Sequence, residues 1–394
     1  MMRKSILLAA SLALIVVACS ALVGGDDVPS SRGSPALDPA DAGLRVSTAG
    51  WSTDFGQHSV PLGEIISGGP GKDGIPSIDF PRLEDASSID WLEAQEPVIA
   101  FGIGEDWRAY PIQILVWHEI VNDTFGNTPV TVTFCPLCHT AIVFDDRVGD
   151  LVLDFGTTGN LRHSDLVMYD RQTESWWQQA TGQAIVGELT GTELTFLPSQ
   201  LVSWQAFRDA HPDGRVLSRN TGFDRPYGSN PYAGYDTVDS VPFLLDDRTL
   251  LDGRLSPKVR VLGLVIEDAS VAYPFPLLAE HSVVNDAVGE TPVVVVWADG
   301  TASGLGASTV AGGEDMGAAN AFSREVIGRT LTFEPAGDGV IRDAETGSIW
   351  SFDGLATAGE LKGSQLELLV ADAPFWFAWA IFRPDTRIWQ PEDG

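Results

Sequence analysis

The feature that most constrains the fold of this chain is an internal repeat. Residues 109–123 read AYPIQILVWHEIVND, and residues 272–286, located 163 positions later, read AYPFPLLAEHSVVND. The same shift relates residues 128–130 to residues 291–293, which both read TPV. A repeat of this length indicates one structural unit that occurs twice in the chain. We therefore predict two duplicated modules.

The repeat continues further along the chain with a different shift. Asp170 and Trp177 of the first copy match Asp343 and Trp350 of the second. Between the copies, residues 220–252 are rich in Pro, Gly, Tyr and Asp, a composition typical of a connecting segment. The predicted organisation, in chain order, is a signal peptide at 1–19, a flexible tether at 20–50, a first module at 51–219, a connector at 220–258 and a second module at 259–394.

Local patterns predict an α+β fold that is mostly β, with short strands and a few helices in each module. Runs of β-branched residues bounded by Gly, Pro or Asn are typical of strands. A proline that opens an apolar periodic segment is typical of a helix start. The predicted elements of the first module are strands at 98–103 and 130–134, a hairpin of 141–144 with 151–155, and helices at 111–121 and 201–210.

The N-terminus is typical of an exported lipoprotein. Arg3 and Lys4 precede an apolar run at 6–17, which is too short to span a bilayer as a mature helix. Small residues then precede Cys19, an arrangement that resembles the bacterial lipobox, in which the cysteine takes the lipid. We expect a protein of the cell envelope, anchored to the membrane through its lipid and facing the periplasm or the cell exterior. No later segment is long and apolar enough to be transmembrane.

The charge of the chain excludes one class of partner. There are 54 Asp and Glu residues against 24 Lys and Arg residues, which gives a net charge of −30. An acidic surface repels the phosphate backbone of nucleic acids. Nucleic acid is therefore not an expected partner. The sequence does not identify a protein partner.

The cysteines identify the candidate site. Of the three in the chain, Cys19 is assigned to the lipid, which leaves Cys135 and Cys138 and excludes a fold built on disulfides. These two occur in the sequence CPLCH between two predicted strands, so both sulfurs can face one point. In the second copy Ala298 and Thr301 stand at the equivalent positions. Only the first module keeps the pair.

A second loss accompanies the loss of the cysteines. Residues 155–170 of the first module correspond to residues 333–343 of the second, a segment that is five positions shorter. The longer segment contains His163 and Met168, and His139 next to the cysteine pair is also absent from the second copy. Because these residues are lost together with the cysteines, we infer that they share a site.

Four functions fit a site of this composition. Thiolates with imidazole and a thioether favour copper or zinc, and Met168 favours copper, for electron transfer or metal handling. Alternatively, Cys135 and Cys138 alternate between dithiol and disulfide in a thiol-disulfide oxidoreductase. They could instead form a structural disulfide in a non-catalytic envelope binding protein. The sequence CPLCH also matches covalent attachment of haem c with His139 as the axial ligand, although a following strand is unusual for such sites.

The role of His118 stays open between two interpretations. It lies on a predicted helix just before the cysteine strand, where it could reach a metal. Its counterpart His281 survives in the copy without cysteines, which favours a buried histidine hydrogen-bonded to nearby backbone. The candidate metal ligands are therefore Cys135, Cys138, His163, His118, His139 and Met168.

Five segments together resemble the bacterial family known as domain of unknown function 3179. They are DGIPSID at 73–79, WHEIVND at 117–123, CPLC at 135–138, LVMYD at 166–170 and NPY at 230–232. The resemblance covers most of the mature chain and implies exported or envelope-associated members, without a defined activity. In similar sequences the position of His139 is usually small or polar, which argues against haem and against an essential role for this histidine.

Overall fold

Short β-strands dominate the fold. The computed structural model describes residues 43–245 and 247–391, and within them four helices of seven residues each accompany the strands. The predicted signal peptide, the lipid site Cys19 and the first part of the tether lie outside these residues. Within them, no helix is both long and apolar enough to cross a membrane. The fold is mostly β, as predicted, and its strands form several small sheets.

The first half of the structure precedes the connector at 220–258. Two three-residue 3-10 helices, Leu62–Glu64 and Ala86–Ser88, lie near its start. Its strands and helices are β1 (Ile65–Ser67), β2 (Leu83–Asp85), β3 (Pro97–Ile103), β4 (Asp106–Pro111), α1 (Ile112–His118), β5 (Ile120–Phe125), β6 (Thr128–Cys135), β7 (Thr140–Asp145), β8 (Arg147–Val148), β9 (Leu151–Val152), β10 (Phe155–Arg162), β11 (Asp165–Asp170), β12 (Trp176–Gln178), β13 (Gln183–Val186), β14 (Thr195–Leu197), β15 (Gln200–Ser203), α2 (Trp204–Ala210) and β16 (Arg215–Leu217).

The second half follows the connector, in which the 3-10 helix Arg248–Leu250 is the regular element described. The strands and helices of the second half are β17 (Val261–Ile266), β18 (Ala269–Pro274), α3 (Phe275–His281), β19 (Val283–Val288), β20 (Thr291–Ala298), β21 (Ala318–Ser323), β22 (Glu325–Val326), β23 (Arg329–Thr330), β24 (Phe333–Gly337), β25 (Val340–Asp343), β26 (Ile349–Trp350), β27 (Ala356–Ala358), β28 (Ala371–Asp372), α4 (Trp376–Phe382) and β29 (Arg387–Ile388).

Each half contains three main sheets. In the first half their strand orders are β15-β3-β4-β16-β2, β14-β7-β6-β5 and β1-β10-β11-β12-β13, and in the second half they are β28-β17-β18-β29, β21-β20-β19 and β24-β25-β26-β27. A two-stranded ribbon accompanies each set, β8-β9 and β22-β23. The orders correspond, except that the first half has the additional edge strands β1, β2 and β14.

The segments that repeat in sequence pair in the same register. Val121 is opposite Val132 in the β5–β6 hairpin, and Val284 is opposite Val295 in the β19–β20 hairpin. Both members of the second pair lie 163 positions after those of the first. The repeated segments therefore form equivalent hairpins.

The first helix begins where it was predicted but ends earlier. It starts after Pro111 and ends at His118, so the helix predicted at 119–121 was wrong. The next residue, Glu119, has a φ of 59° and donates its backbone N–H to Leu115 O at 2.7 Å. This left-handed conformation reverses the chain, and Ile120 already belongs to a strand.

The predicted hairpin of 141–144 with 151–155 was also wrong. The second predicted helix is present at Trp204–Ala210, but residues 201–203, predicted as its start, belong to strand β15. Strand β7 pairs with β6 and β14, and the turn near 145–150 joins the short strands β8 and β9 instead. Helix α2 begins at Trp204, where the Ser203 hydroxyl accepts a hydrogen bond from Ala206 N at 3.2 Å. Trp204 and Phe207 are both buried, as their spacing predicted.

The largest hydrophobic cluster surrounds the cysteine strand and contains residues of both halves. From the first half it includes Phe134, Cys135 and Cys138, and from the second half Leu305 and Phe375, all of them buried. The environment of the cysteines is therefore built by the whole described chain.

Candidate functional site

The two cysteines lie at the tip of the β6–β7 hairpin. Cys135 ends β6 opposite Thr140, which begins β7, and Cys138 lies in the loop between them. The chain turns at His139, which has a φ of 59°. Both cysteines are buried and carry free thiols in the structure. A loop of this length directs both sulfurs to the same side, as the sequence predicted.

The second half holds this loop in place through three backbone contacts. Phe375 donates its backbone N–H to Cys138 O at 2.9 Å, and the Nδ1 atom of His139 lies 2.9 Å from Ala373 O. The Asp372 carboxylate accepts a hydrogen bond from Ala141 N at 2.9 Å. All three contacts fall on the side of the cysteine loop that leads into β7.

A third potential ligand, Asp165, approaches the cysteines from another sheet. One carboxylate oxygen and the two sulfurs of Cys135 and Cys138 all lie within 4.8 Å of one another. The Oδ2 atom of Asp165 accepts hydrogen bonds from Gln178 Nε2 at 2.5 Å and from Ala180 N at 3.0 Å. Its Oδ1 atom is buried and lacks a hydrogen-bond partner among the described residues. The cluster Cys135-Cys138-Asp165 is the candidate site.

The turn that positions Asp165 is strained. Residues His163 and Ser164 connect β10 to β11 with φ values of 55° and 69°. A two-residue hairpin turn of this kind usually contains Asn or Gly, because other side chains resist a positive φ. In the second half the equivalent turn is formed by Asp338 and Gly339, and there the residue with a positive φ, 61°, is the glycine. Strain at this position is typical of a functional site.

Glu119 lies next to the cluster. Its side chain is buried, with 7% of its surface exposed, and no hydrogen bond or ion pair reaches its carboxyl within the described residues. Burial, and then the negative charge of Asp165, raise the pKa of Glu119 to about 8. Glu119 therefore adds a fourth acidic group to the site.

The pKa values of all four acidic groups lie above their ordinary range. Burial raises the pKa of Cys135, and it raises the pKa of Cys138 well above that of a free thiol. Burial also raises the pKa of Asp165 to about 6. No lysine, arginine or histidine of the described chain forms an ion pair with Asp165 or Glu119. The site is a buried group of acids without a cationic side chain.

His118 is held by other partners. Its Nδ1 atom lies 2.6 Å from Pro76 O, and its Nε2 atom lies 2.6 Å from the Tyr227 hydroxyl. The side chain is fully buried, and burial lowers its pKa. Because both ring nitrogens are occupied, this arrangement leaves no nitrogen free for a metal.

The other two predicted histidines also lie outside the cluster. The His139 ring is buried between Phe134 and Phe375, and burial, then the charge of Arg260, lower its pKa to about 3. His163 Nε2 lies 3.3 Å from the Glu64 carboxylate. Enclosed in this way, His139 has no open face for a porphyrin, so the residues present do not fit a haem.

Met168 is fully buried and belongs to the same hydrophobic cluster as the two cysteines. It lies on β11 opposite Trp177 of β12 and Thr157 of β10. Trp177 is held by a hydrogen bond from its Nε1 atom to Asp170 at 2.9 Å, and Trp350 makes the same bond to Asp343. Both tryptophans are core residues.

A cavity of about 460 Å³ adjoins the site. Glu119 belongs to its wall, as does Leu137, one of the two residues between the cysteines. The connector forms the facing wall, where the Tyr235 hydroxyl donates a hydrogen bond to Leu137 O at 2.9 Å. Tyr232 lies beside it. The connector, predicted only as a link, covers the cysteine loop.

The spacing of the cluster suits a tetrahedral ion. Such an ion, with bonds of about 2.3 Å to sulfur, holds two sulfur ligands roughly 3.8 Å apart. The sulfurs of Cys135 and Cys138 and an oxygen of Asp165 lie within a comparable distance of one another. Three protein ligands leave the fourth position of a tetrahedral site for a water or another ligand.

Sequence reasoning missed Asp165 and Glu119, although the internal repeat contains a signal for both. Asp165 lies in the segment that is five residues shorter in the second half. Glu119 is replaced by Ser282 at the end of α3. The half that lacks the cysteines therefore also lacks both acids at the equivalent positions.

Comparison with known proteins identifies the family. A family model described as a protein of unknown function, DUF3179, matches residues 72–386. The chain belongs to the DUF3179 family. This confirms the resemblance found in the five segments of the sequence. No curated protein and no solved structure gives a significant match. Membership of DUF3179 defines no activity, so function must be argued from the site.

Proposed function

We propose that this chain is an exported, lipid-anchored metalloprotein that binds one transition-metal ion at Cys135, Cys138 and Asp165. Its role would be metal handling, or electron transfer if the ion is redox-active. The proposal depends on one observation, a buried cluster of acidic ligands in which Asp165 Oδ1 lacks a partner.

Electrostatics supports a cation at this position. Buried charges are normally paired or coordinate a metal, because an uncompensated charge in the protein interior is costly. Without a cation, burial favours the protonated forms of the thiols and carboxyls, which agrees with their raised pKa values. A metal ion would displace these protons and neutralise the ligands.

The ligand types bear on the choice of metal. Two thiolates favour zinc or copper, whereas a carboxylate oxygen is a harder ligand than the imidazole expected from the sequence. Cys135, Cys138 and Asp165 therefore favour zinc over Cu(I). Met168, a thioether in the same hydrophobic cluster as the cysteines, keeps copper as the second candidate.

The thiol-disulfide oxidoreductase is the second candidate function. Two free thiols lie close together, which supports it. Reactive cysteines, however, usually have a lowered pKa and access to solvent. Cys135 and Cys138 have neither property. Both thiols are free in the structure, which disfavours a role limited to a structural disulfide.

The wider organisation is also proposed. Equivalent sheet orders and the shared hairpin register support an origin of the two halves by duplication. The sequence at Cys19 supports membrane attachment through a lipid, and the acidic surface argues against nucleic acid as a partner.

Metal content tests the central proposal. The full chain, extracted in mild detergent, is loaded anaerobically with Zn²⁺ or Cu⁺ and desalted, and bound metal is measured by elemental analysis. We expect about one ion per chain. The variants Cys135→Ser and Cys138→Ser should bind neither ion firmly, whereas Cys19→Ser should bind as the unmodified chain does. A chain that takes up no stoichiometric metal would refute the proposal.

The same preparation separates the alternatives. A disulfide between Cys135 and Cys138 that forms and is reduced in mild thiol buffer would favour the oxidoreductase, because structural disulfides resist such reduction. Release of the Cys19→Ser variant from the membrane fraction, with its metal retained, would support the lipid anchor. Retention of that variant in the membrane would contradict it.

A further inference from the structure

The cavity beside the cluster is enclosed by residues of the first half and of the connector. It is bounded on one side by Glu119 and Leu137 and on the other by residues 231–235 and 243–244 of the connector. Ser164 fastens the connector by donating its hydroxyl hydrogen to Phe243 O at 2.5 Å. A volume of about 460 Å³ is in the range of small-molecule sites.

Most of the wall is apolar. Aliphatic and aromatic side chains from four separate segments contribute to it, namely Ile75, Leu137, Leu161, Leu166, Phe243 and Leu244. Surfaces of this composition favour molecules with a large apolar part. The composition therefore selects against small ions and sugars.

Two polar groups face this interior without partners. The Glu119 carboxyl and the Tyr232 hydroxyl make no hydrogen bond within the described residues, and Glu119 is buried whereas Tyr232 is half-buried. Burial, and then a negative charge on Glu119, raise the pKa of the Tyr232 hydroxyl, so the two groups lie near one another. Both groups are therefore available to form hydrogen bonds with a molecule in the cavity.

The charge of the cavity limits the ligand further. No lysine, arginine or histidine among the described residues lines it, and Glu119 lies in its wall. A carboxylate or phosphate would have to give up its hydration in a mainly apolar cavity without a cation to pair with it.

We infer that this cavity binds an uncharged, mainly apolar small molecule whose polar end lies between Glu119 and Tyr232. The inference deepens the proposed function and rests on it only in placing that polar end near the metal site. Such a molecule could satisfy both unpartnered groups, because an amide or hydroxyl both donates and accepts hydrogen bonds.

Matched pairs of probes test the charge requirement. Benzamide and hexanamide are compared with benzoate and hexanoate by calorimetry on the full chain, with and without Zn²⁺. We expect each amide to bind about tenfold or more tightly than its carboxylate. Ala233→Trp, which places a large side chain at the exposed mouth of the cavity, should abolish binding. Ala287→Trp, at an exposed site of the second half, should not change it.

The outcomes separate this inference from the metal proposal. If zinc loads but neither amide binds, or if carboxylates bind as well as amides, the inference is wrong and the metal site stands. If zinc does not load but the amides bind and Ala233→Trp blocks them, the metal proposal fails and the cavity remains a ligand site. Tyr232→Phe should weaken amide binding several-fold while metal content is unchanged.

Discussion

Glu119 and Ser282 end two helices in the same backbone conformation. Their φ values are 59° and 57°, and each donates its backbone N–H at 2.7 Å to the carbonyl four residues earlier, that of Leu115 or Leu278. The surroundings of the two side chains differ, because only Glu119 lies near a pair of cysteines. The same backbone conformation thus places an acidic side chain near the cysteines in one half and a serine in the other.

The stability of variants at position 119 should therefore depend on how well the new residue tolerates the positive φ of Glu119. Glu119→Ser should fold normally, since Ser282 already adopts this conformation, and Glu119→Gly should relieve the positive φ. Glu119→Val should be less stable than Glu119→Ser by about 1–2 kcal/mol, because a β-branched residue resists the left-handed region. Urea denaturation measures the differences, and Ser282→Val provides the matched control. Equal stability of the valine and serine variants would contradict this explanation.

Asp165 should be required for firm metal binding. Asp165→Asn keeps the shape of the side chain and removes its charge, so we expect affinity for Zn²⁺ to fall by about 100-fold or more. Competition with a chelator of known affinity measures the change. Asp154→Asn, at an exposed position, is the control and should leave the affinity unchanged. An unchanged affinity in Asp165→Asn would remove Asp165 from the ligand set.

The histidines predicted from the sequence should be dispensable for the metal. His118→Gln loses the contacts with Pro76 and Tyr227 and should lower the free energy of unfolding by about 1–3 kcal/mol. His163→Gln, which loses its contact with Glu64, should have a smaller effect. Elemental analysis should find the same metal content in both variants. Loss of the ion in either one would restore that histidine as a ligand.

A buried carboxyl away from the site should make stability depend on pH. Burial raises the pKa of Asp146 from 3.8 to about 8, and its Oδ1 atom lacks a partner among the described residues. Between these values the folded state binds a proton that the unfolded state releases, so stability should fall as pH rises from about 4 to 8. Asp146→Asn should flatten this decline, whereas Asp150→Asn should not. Thermal unfolding across this range measures both.

The sequence predicted the fold well where local patterns determine it. The strands containing Val98 and Val130 formed where β-branched residues cluster, and α2 placed Trp204 in the core. The end of α1 was mispredicted because Glu119, a good helix former, adopts a left-handed conformation that tertiary contacts impose. Propensity is a weak guide where packing determines the backbone.

The site was predicted in part. Spacing alone brought Cys135 and Cys138 together, and the joint loss of residues in the second half indicated the correct segment. Within that segment His163 was selected for its chemistry, whereas Asp165, two positions later, is the residue that approaches the sulfurs. Acidic residues are abundant in this chain, so a single aspartate carries no signal until two sheets are packed together.

Through the contacts of Phe375 and Ala373, the second half supports the cysteine loop of the first half. A half that lacks the cysteines can still be preserved by selection if it supports the loop that carries them. Substitutions far from the cysteines in sequence, in the segment that contacts Cys138 and His139, would then impair the chain as severely as changes to the ligands. Conservation of the cysteine site in the first half would therefore depend on conservation of the supporting segment in the second half.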